Sequence, residues 1–376
     1  MVNPRALGPI AILGLVALMG GCSRQGDIRE LKLKDWEPRP MLTVKQTHLE
    51  RARFPVIDIY NKLRPDADRE AFLREMDAAG VFAAVNLEGG FTMEETLAQL
   101  ERWDNAHPGR FVTFAQVDFD NCDEPGWAER QVELLERRFE AGAKGLEISK
   151  SLGLGHTYSD GTLVRPGDPR LDPIWQVCAR HGRPVMIHVG DPKAFFTPLD
   201  RFNERWHELR ERPYWMFYGE KWPSWEELIE GFTAILERNP DTLFIGAHMG
   251  NTPEDLGTLA RWMEAYPNLV VATGPRISEL GRQPYTARRF IMKYQDRVMF
   301  GSDTRPRRDA YQVYYRFFET DDEYFDPADS HHLQGFWMIY GIHLPEEVLE
   351  KIYHKNALRL LPGMAEHEER VRSFGR

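Results

Sequence analysis

Eight short apolar runs, each separated from the next by a helical pattern, constrain this chain more than any other feature. They are VIDIY (56–60), VFAAVNL (81–87), FVTFAQV (111–117), GLEIS (145–149), PVMIHV (184–189), LFIGAH (243–248), LVVAT (269–273) and VMFGSD (298–303). Between them, DREAFLREMDAAG (68–80) has apolar residues at 71, 72, 73, 76 and 79, and TMEETLAQLERW (92–103) and WAERQVELLERRFEAGA (127–143) are amphipathic. LDPIWQVCARHG, SWEELIEGFTAILERNP and TPEDLGTLARWMEAYP follow the same scheme, and several of these segments end in Gly or Asn-Pro, as helices do. Strand-like runs alternating with helices imply βα units and a parallel sheet. The count of eight, with polar residues gathered at the C-terminal ends of the runs, predicts a (β/α)8 barrel rather than a doubly wound open sheet. Two connections are long, 190–223 after the fifth run and 304–344 after the eighth. Both are rich in aromatics and Arg, and both are expected to cover the mouth.

Composition narrows the function classes. A hydrophobic share of 42%, with 21 Phe and 10 Trp, is enough for a sizeable core. The net charge of −10 and the lack of a Lys/Arg cluster argue against a nucleic-acid partner. Residues 1–22, MVNPRALGPIAILGLVALMGGC, carry one early cation, an apolar run and then small residues, the order of a secretory signal. The ending Met19-Gly20-Gly21-Cys22 resembles a bacterial lipobox, which implies export and lipid anchoring through Cys22. Residues 23–53 read as a tether or surface arm, 54–362 as the barrel and 363–376 as a C-terminal tail. Cys178 lies in a helical pattern and is expected as a buried lone thiol; no CxxC spacing is present.

Three runs close on a side chain able to do chemistry: His188 in PVMIHVGDP, His248 in LFIGAHMGN and Asp303 in VMFGSDT. In a closed barrel these positions converge above the core. With PVID on the first run, GLGH and DPRLDPIW after the fourth, and ELGRQP after the seventh, the segment from Phe54 to about Leu361 resembles the amidohydrolase-related proteins, which include metal-dependent hydrolases and carboxy-lyases. The resemblance implies a distorted (β/α)8 barrel with a divalent metal, often zinc, at its C-terminal face.

The first strand of that family ends in His-x-His, whereas this chain has Tyr60-Asn61-Lys62. A protonated Lys has no lone pair, and Tyr is an uncommon zinc ligand. Of the family's metal positions His188 and Asp303 remain, and His248 matches the histidine that orients substrate or supports the metal. Ala272 stands where relatives often carry an acid, and Glu147 where similar chains often carry Lys.

Three readings follow. In the first, the metal is lost and Lys62 pairs with Asp303. In the second, it has moved to a set of Glu147, His188 and His248, with Glu147 paired to Lys150 or Lys62 as the plain alternative. In the third, chemistry proceeds with weak metal or none. Asp303 is then the general base, and Lys62, Arg276 or Arg305 binds an anionic substrate; a Lys of lowered pKa could itself act as base or nucleophile. Tyr60 at the mouth, Arg201 in the long loop and His156 in a predicted hairpin are further substrate-facing candidates, while His331-His332 reads as a surface pair. The functions that fit are hydrolysis of an amide or ester (lactones included) of a small molecule, a catalytically retired ligand-binding barrel, or a carboxy-lyase.

Overall fold

A computed structural model describes residues 28–32, 35–36, 39–328 and 332–374. The signal-like segment with Cys22 lies outside the described residues. The chain divides into two units at Thr43/Val44; the first contains a 3-10 turn, Ile28–Glu30, and the second contains the barrel. No described helix is long and apolar enough to cross a membrane.

Eight parallel strands run in sequence order: β1 (Val56–Asn61), β2 (Val81–Asn86), β3 (Phe111–Gln116), β4 (Gly145–Ile148), β5 (Val185–Ile187), β6 (Phe244–Gly246), β7 (Leu269–Ala272) and β8 (Val298–Met299). Closure comes from β1 against the last strand. The Ile59 N–H donates to the Phe300 carbonyl at 3.1 Å and the Asp303 N–H to the Tyr60 carbonyl at 3.0 Å. The helices are α1 (Arg69–Ala79), α2 (Met93–Gln99), α3 (Trp127–Ala141), α4 (Asp172–Arg180), α5 (Trp225–Arg238), α6 (Leu256–Ala265), α7 (Pro284–Lys293) and α8 (Arg308–Glu319). Local chemistry sets their ends. Asp68 accepts from the Ala71 N–H to start α1, and Thr92 and Ser224 form capping boxes at α2 and α5. Gly80 ends α1 at φ 84°, a left-handed turn that lets the chain enter β2 at once.

Alternation along the strands builds two apolar layers. Ile57 and Ile59, Ala83 and Val85, Val112 and Phe114, Met186, Ile245, Val270 and Met299 fill the barrel. Val56, Leu146, Ile148, Val185, Ile187 and Phe244 pack outward under the helices. Each fully buried side chain of this size is worth ~2 kcal/mol in removed apolar surface. The end of the chain joins the inner layer: Leu361, Met364 and Val371 are buried against it, and Phe374 meets Phe82 edge-on at 5.4 Å. With Arg370 donating to the Pro108 carbonyl just before β3, this segment closes the N-terminal mouth.

The connection after β8 is not a loop throughout. Its first part is α8, packed beside α1 with Tyr311, Tyr314, Tyr315, Phe317 and Phe318 buried, so these aromatics belong to the wall and not to a lid. Tyr311 and Ser302 both donate to the buried Asp58 carboxylate of β1, locking α8 and the end of β8 to the first strand. The connection after β5 is pinned by Arg205, which is buried and paired with Glu208 at 2.7 Å and with Glu279. His332 also pairs with Glu208, so it is a bridging residue and not a surface one. Cys122 and Cys178 are buried free thiols.

Candidate active site

At the C-terminal end the inner layer turns polar. Strand parity carries Gln116, Glu147 and His188 into the barrel just above Phe114 and Met186, because their neighbours Leu146, Ile148, Val185 and Ile187 face outward. Gln116 and Glu147 are register partners, and the Gln116 amide donates to the Glu147 carboxylate at 2.9 Å. Burial pushes the Glu147 carboxyl up to about 7, against the pull of Lys62 and Gln116. Lys150, the expected partner of Glu147, pairs elsewhere: its ammonium meets Asp191 at 2.5 Å.

The strands β5, β6 and β8 are shorter than their apolar runs, so the functional groups sit on the turns that follow them. His248 and Asp303 both adopt left-handed backbone, at φ 55° and 50°. Such positions are costly for non-glycine residues and gather at functional sites. The His248 Nδ1 bonds to the Gly274 carbonyl, which can only accept, so Nδ1 carries the proton and Nε2 is left as a lone pair. That Nε2 lies 3.3 Å from His188 Nδ1 and 3.9 Å from Asp303 Oδ2. The two imidazoles meet nearly at right angles with centroids 4.2 Å apart. Burial lowers both, His188 to about 4 and His248 well below its ordinary value, so both are neutral at pH 7.

Asp191 completes the chain of contacts. Its Oδ1 is 3.5 Å from His188 Nε2. Burial opposes its charge, but Lys150 and His188 hold it well below the usual carboxylate range. The sequence reading did not single out Asp191; the signal was its place three residues beyond His188, in HVGD. Asp303 behaves differently. Burial pushes it up to about 6 although Lys62, Arg276 and Lys150 pull it down, and 22% of its side chain remains exposed.

Tyr60 fills the place between these groups. Its ring stands 4.8 Å from that of His248, and its hydroxyl is 3.5 Å from His188 Nδ1. Gly301 makes room for it, since a Cβ there would come 3.1 Å from the Tyr60 Cβ. Burial, then Asp303 and Glu147, raise the phenol well above 10, so it stays protonated. Lys62 is exposed at the rim. Burial would lower it, but Asp303, Glu147, Glu88 and Asp191 outweigh that and raise it, so it is an ammonium at pH 7 and no neutral base or nucleophile. It makes no ion pair within 4 Å with Asp303 among the described residues.

Arg276 follows β7 and is buried, at 5% exposure. Arg201 and Arg305 are exposed, the former stacked over Phe202 at 4.7 Å. His156 sits apart from the hollow, against Phe119, which packs on Trp127 and Trp175 of the outer helices. An antiparallel bridge between Thr157 and Leu163 places it in a hairpin.

The donor set at the mouth does not fit the metal that the resemblance implies. The end of β1 offers a phenol that stays protonated, a poor ligand for zinc, and then an ammonium with no lone pair. The ligand atoms of Glu147, His188, His248 and Asp303 form no trio within 4.8 Å of one another. Among the described residues the trio that does is Asp118, Asp120 and His156, which could hold a metal ion. The two aspartates, from VDFD after β3, were not singled out in the sequence reading.

Comparisons with known proteins come to the same fold. A family profile described as amidohydrolase matches residues 43–363. The chain is similar to a 2,6-dihydroxybenzoate decarboxylase from Rhizobium, at 16% identity and TM-score 0.53, covering 82% of this chain and 98% of that one. It is similar to a dihydroxybenzoic acid decarboxylase from Polaromonas with bound manganese, at 14% identity and TM-score 0.53, covering 82% and 96%. An uncharacterized TIM-barrel protein from Bordetella bronchiseptica is 15% identical, with TM-score 0.52 and coverage of 82% and 98%. At these identities the likeness is one of fold. No curated protein matches.

Proposed function

The chain belongs to the amidohydrolase family, and on that premise we propose that its barrel mouth hydrolyses an ester or lactone of a small molecule, with Asp303 as general base and no metal ion in the hollow. Family and fold support small-molecule hydrolase or lyase chemistry in general. The observation that carries the finer reading is Asp303, on a left-handed turn beside His248 Nε2, with a carboxyl at about 6. A base of that pKa is ionised at pH 7 and still basic enough to accept a proton from water.

The residues divide the work as follows. Water sits between Asp303 and the substrate carbonyl, with the His248 Nε2 lone pair accepting one of its hydrogens. As the water oxygen bonds to carbon, Asp303 takes the other hydrogen. The Lys62 ammonium is the donor for the oxyanion that forms. Collapse breaks the carbon–oxygen bond, and the leaving alkoxide takes the proton back from Asp303. Without a Lewis acid to polarise the carbonyl, esters and lactones are favoured over amides. His188, held by Asp191, positions the ring of His248. Zinc, the family's usual ion, has no role in these steps.

A panel of lactones, esters, amides and hydroxybenzoic acids, assayed with and without a chelator, tests the proposal. Ester or lactone turnover that survives chelation and falls in Asp303→Asn supports it. Chelator-sensitive turnover, decarboxylation alone, or ligand binding with no turnover would replace it by a metal-dependent, carboxy-lyase or binding-only reading. The export and lipid attachment read from residues 1–22 remain part of the proposal. The buried Cys122 and Cys178 offer no surface attachment, so labelling by radioactive palmitate should vanish in Cys22→Ala.

A further inference from the structure

Arg276 is a buried cation at the mouth that the hydrolytic steps leave idle. Its position is fixed by the strand end that carries it. A Cβ on Gly274 would fall 2.1 Å from the Gly301 carbonyl oxygen, so β7 and β8 touch backbone to backbone there. The Gly274 carbonyl also accepts the His248 Nδ1–H. Arg276, two residues on, is therefore held at a set place beside the reacting groups.

Its guanidinium has five N–H donors and is buried, yet its one hydrogen bond is to the neighbouring Pro275 carbonyl at 3.4 Å. Its Nε has no partner, and among the described residues no carboxylate lies within ion-pair distance. The other deeply buried arginines differ in what their terminal nitrogens meet, although the Arg205 Nε is also unpaired. Arg205 holds Glu208 and Glu279, and Arg138 donates to Thr96 and to the carbonyls of Gln116 and Gly90. A desolvated cation without a partner is unfavourable and marks a place where an anion is received. The charge reaches the hollow: Arg276 favours ionisation of Asp303 and disfavours protonation of His248. A planar fork of donors suits a carboxylate, which it grips with two parallel hydrogen bonds.

We infer that the substrate is a carboxylic acid whose carboxylate is gripped by Arg276 while its ester or lactone carbonyl faces Asp303. This names the substrate class and rests on the hydrolytic reading of the same hollow. Calorimetric titration at pH 7 tests it apart from turnover, with benzoate and glutarate as probes and benzamide and glutaramide as neutral isosteres. The expected result is at least tenfold tighter binding of a carboxylate than of its amide. In Arg276→Met that preference should disappear while amide binding is unchanged; Arg276→Lys should restore part of it. Asp303→Asn should keep the preference, so a protein that binds carboxylates but turns nothing over would sink the hydrolytic reading and leave this inference standing. Equal binding of acids and amides by the unaltered protein, binding of neither acid, or unchanged preference in Arg276→Met overturns it.

Discussion

The two mouths of this barrel are built on opposite principles. At the N-terminal end the chain's own last residues close the opening, with Leu361, Met364 and Val371 joined to the inner apolar layer and Phe374 laid on Phe82. At the C-terminal end the same layer gives way to Gln116, Glu147, His188 and His248, non-glycine residues such as His248 and Asp303 stand in left-handed backbone, and a buried arginine has no carboxylate partner among the described residues. One end is optimised for burial. The other holds groups in states that folding alone would not select, such as a carboxyl raised to about 6 and neutral buried imidazoles. The difference marks the C-terminal mouth as the candidate site by energetics, before any likeness to relatives is considered.

The contrast can be broken at either end. The largest effect is expected from Asp303→Asn, which should lower ester or lactone turnover by about 10²- to 10⁴-fold. In the unaltered protein turnover should rise with pH and reach half its plateau near 6, the pKa of that carboxyl. Stability should move the other way. The folded carboxyl is raised above its ordinary 3.8, so it is bound to a proton more tightly when folded; its ionisation penalises the fold increasingly from pH 4 to 6 and fully above 6. Asp303→Asn should thus be more stable at pH 7 by about 3 kcal/mol, an advantage that fades towards pH 4, as read by urea unfolding.

At the opposite mouth Leu361→Ala should cost about 2–5 kcal/mol of stability through the cavity it leaves, with turnover per folded molecule unchanged. A loss of turnover there would erase the division between the ends. Asp191→Asn acts through His188 and should reduce kcat roughly tenfold, in keeping with second-layer partners. It also removes a negative charge that raises Asp303, so the midpoint of the pH profile should move below 6. A purely structural Asp191 would leave that midpoint in place. The smallest change is expected for Tyr60→Phe, within about threefold in kcat, since the long 3.5 Å contact to His188 is all that the hydroxyl loses inside the protein.

The barrel was legible because its signal is local. Each strand is a contiguous apolar run, and each carries its functional residue at its own end, so His188, His248 and Asp303 could be named before their convergence was seen. What lay hidden depends on pairings across the chain. Lys150 was one of two lysines offered as partner to Glu147, and it meets Asp191, forty-one residues away. The network joining Arg205, Glu208, Glu279 and His332 links three connections and leaves no trace in any one of them. The helix α8 is a different kind of miss: Tyr311, Tyr314, Tyr315 and Phe318 recur at helical spacing, but as aromatics after the last strand they read as mouth residues. Arg276 was legible as a cation, while its lack of a carboxylate partner among the described residues is a fact of three dimensions.

The abutment of Gly274 and Gly301 bears on how such an enzyme could change its taste in substrates. A methyl group on Gly274 would meet the Gly301 carbonyl oxygen and prise two strand ends apart, and one on Gly301 would crowd the Tyr60 Cβ at 3.1 Å, so this wall of the hollow leaves little room for mutation. Variation is left to the rim, where exposed residues such as Phe202 and Tyr214 tolerate replacement. A laboratory library meant to redirect specificity would spare the two glycines, His188, Asp191, Arg205 and Glu208, and randomise the exposed positions of the long segment between β5 and α5.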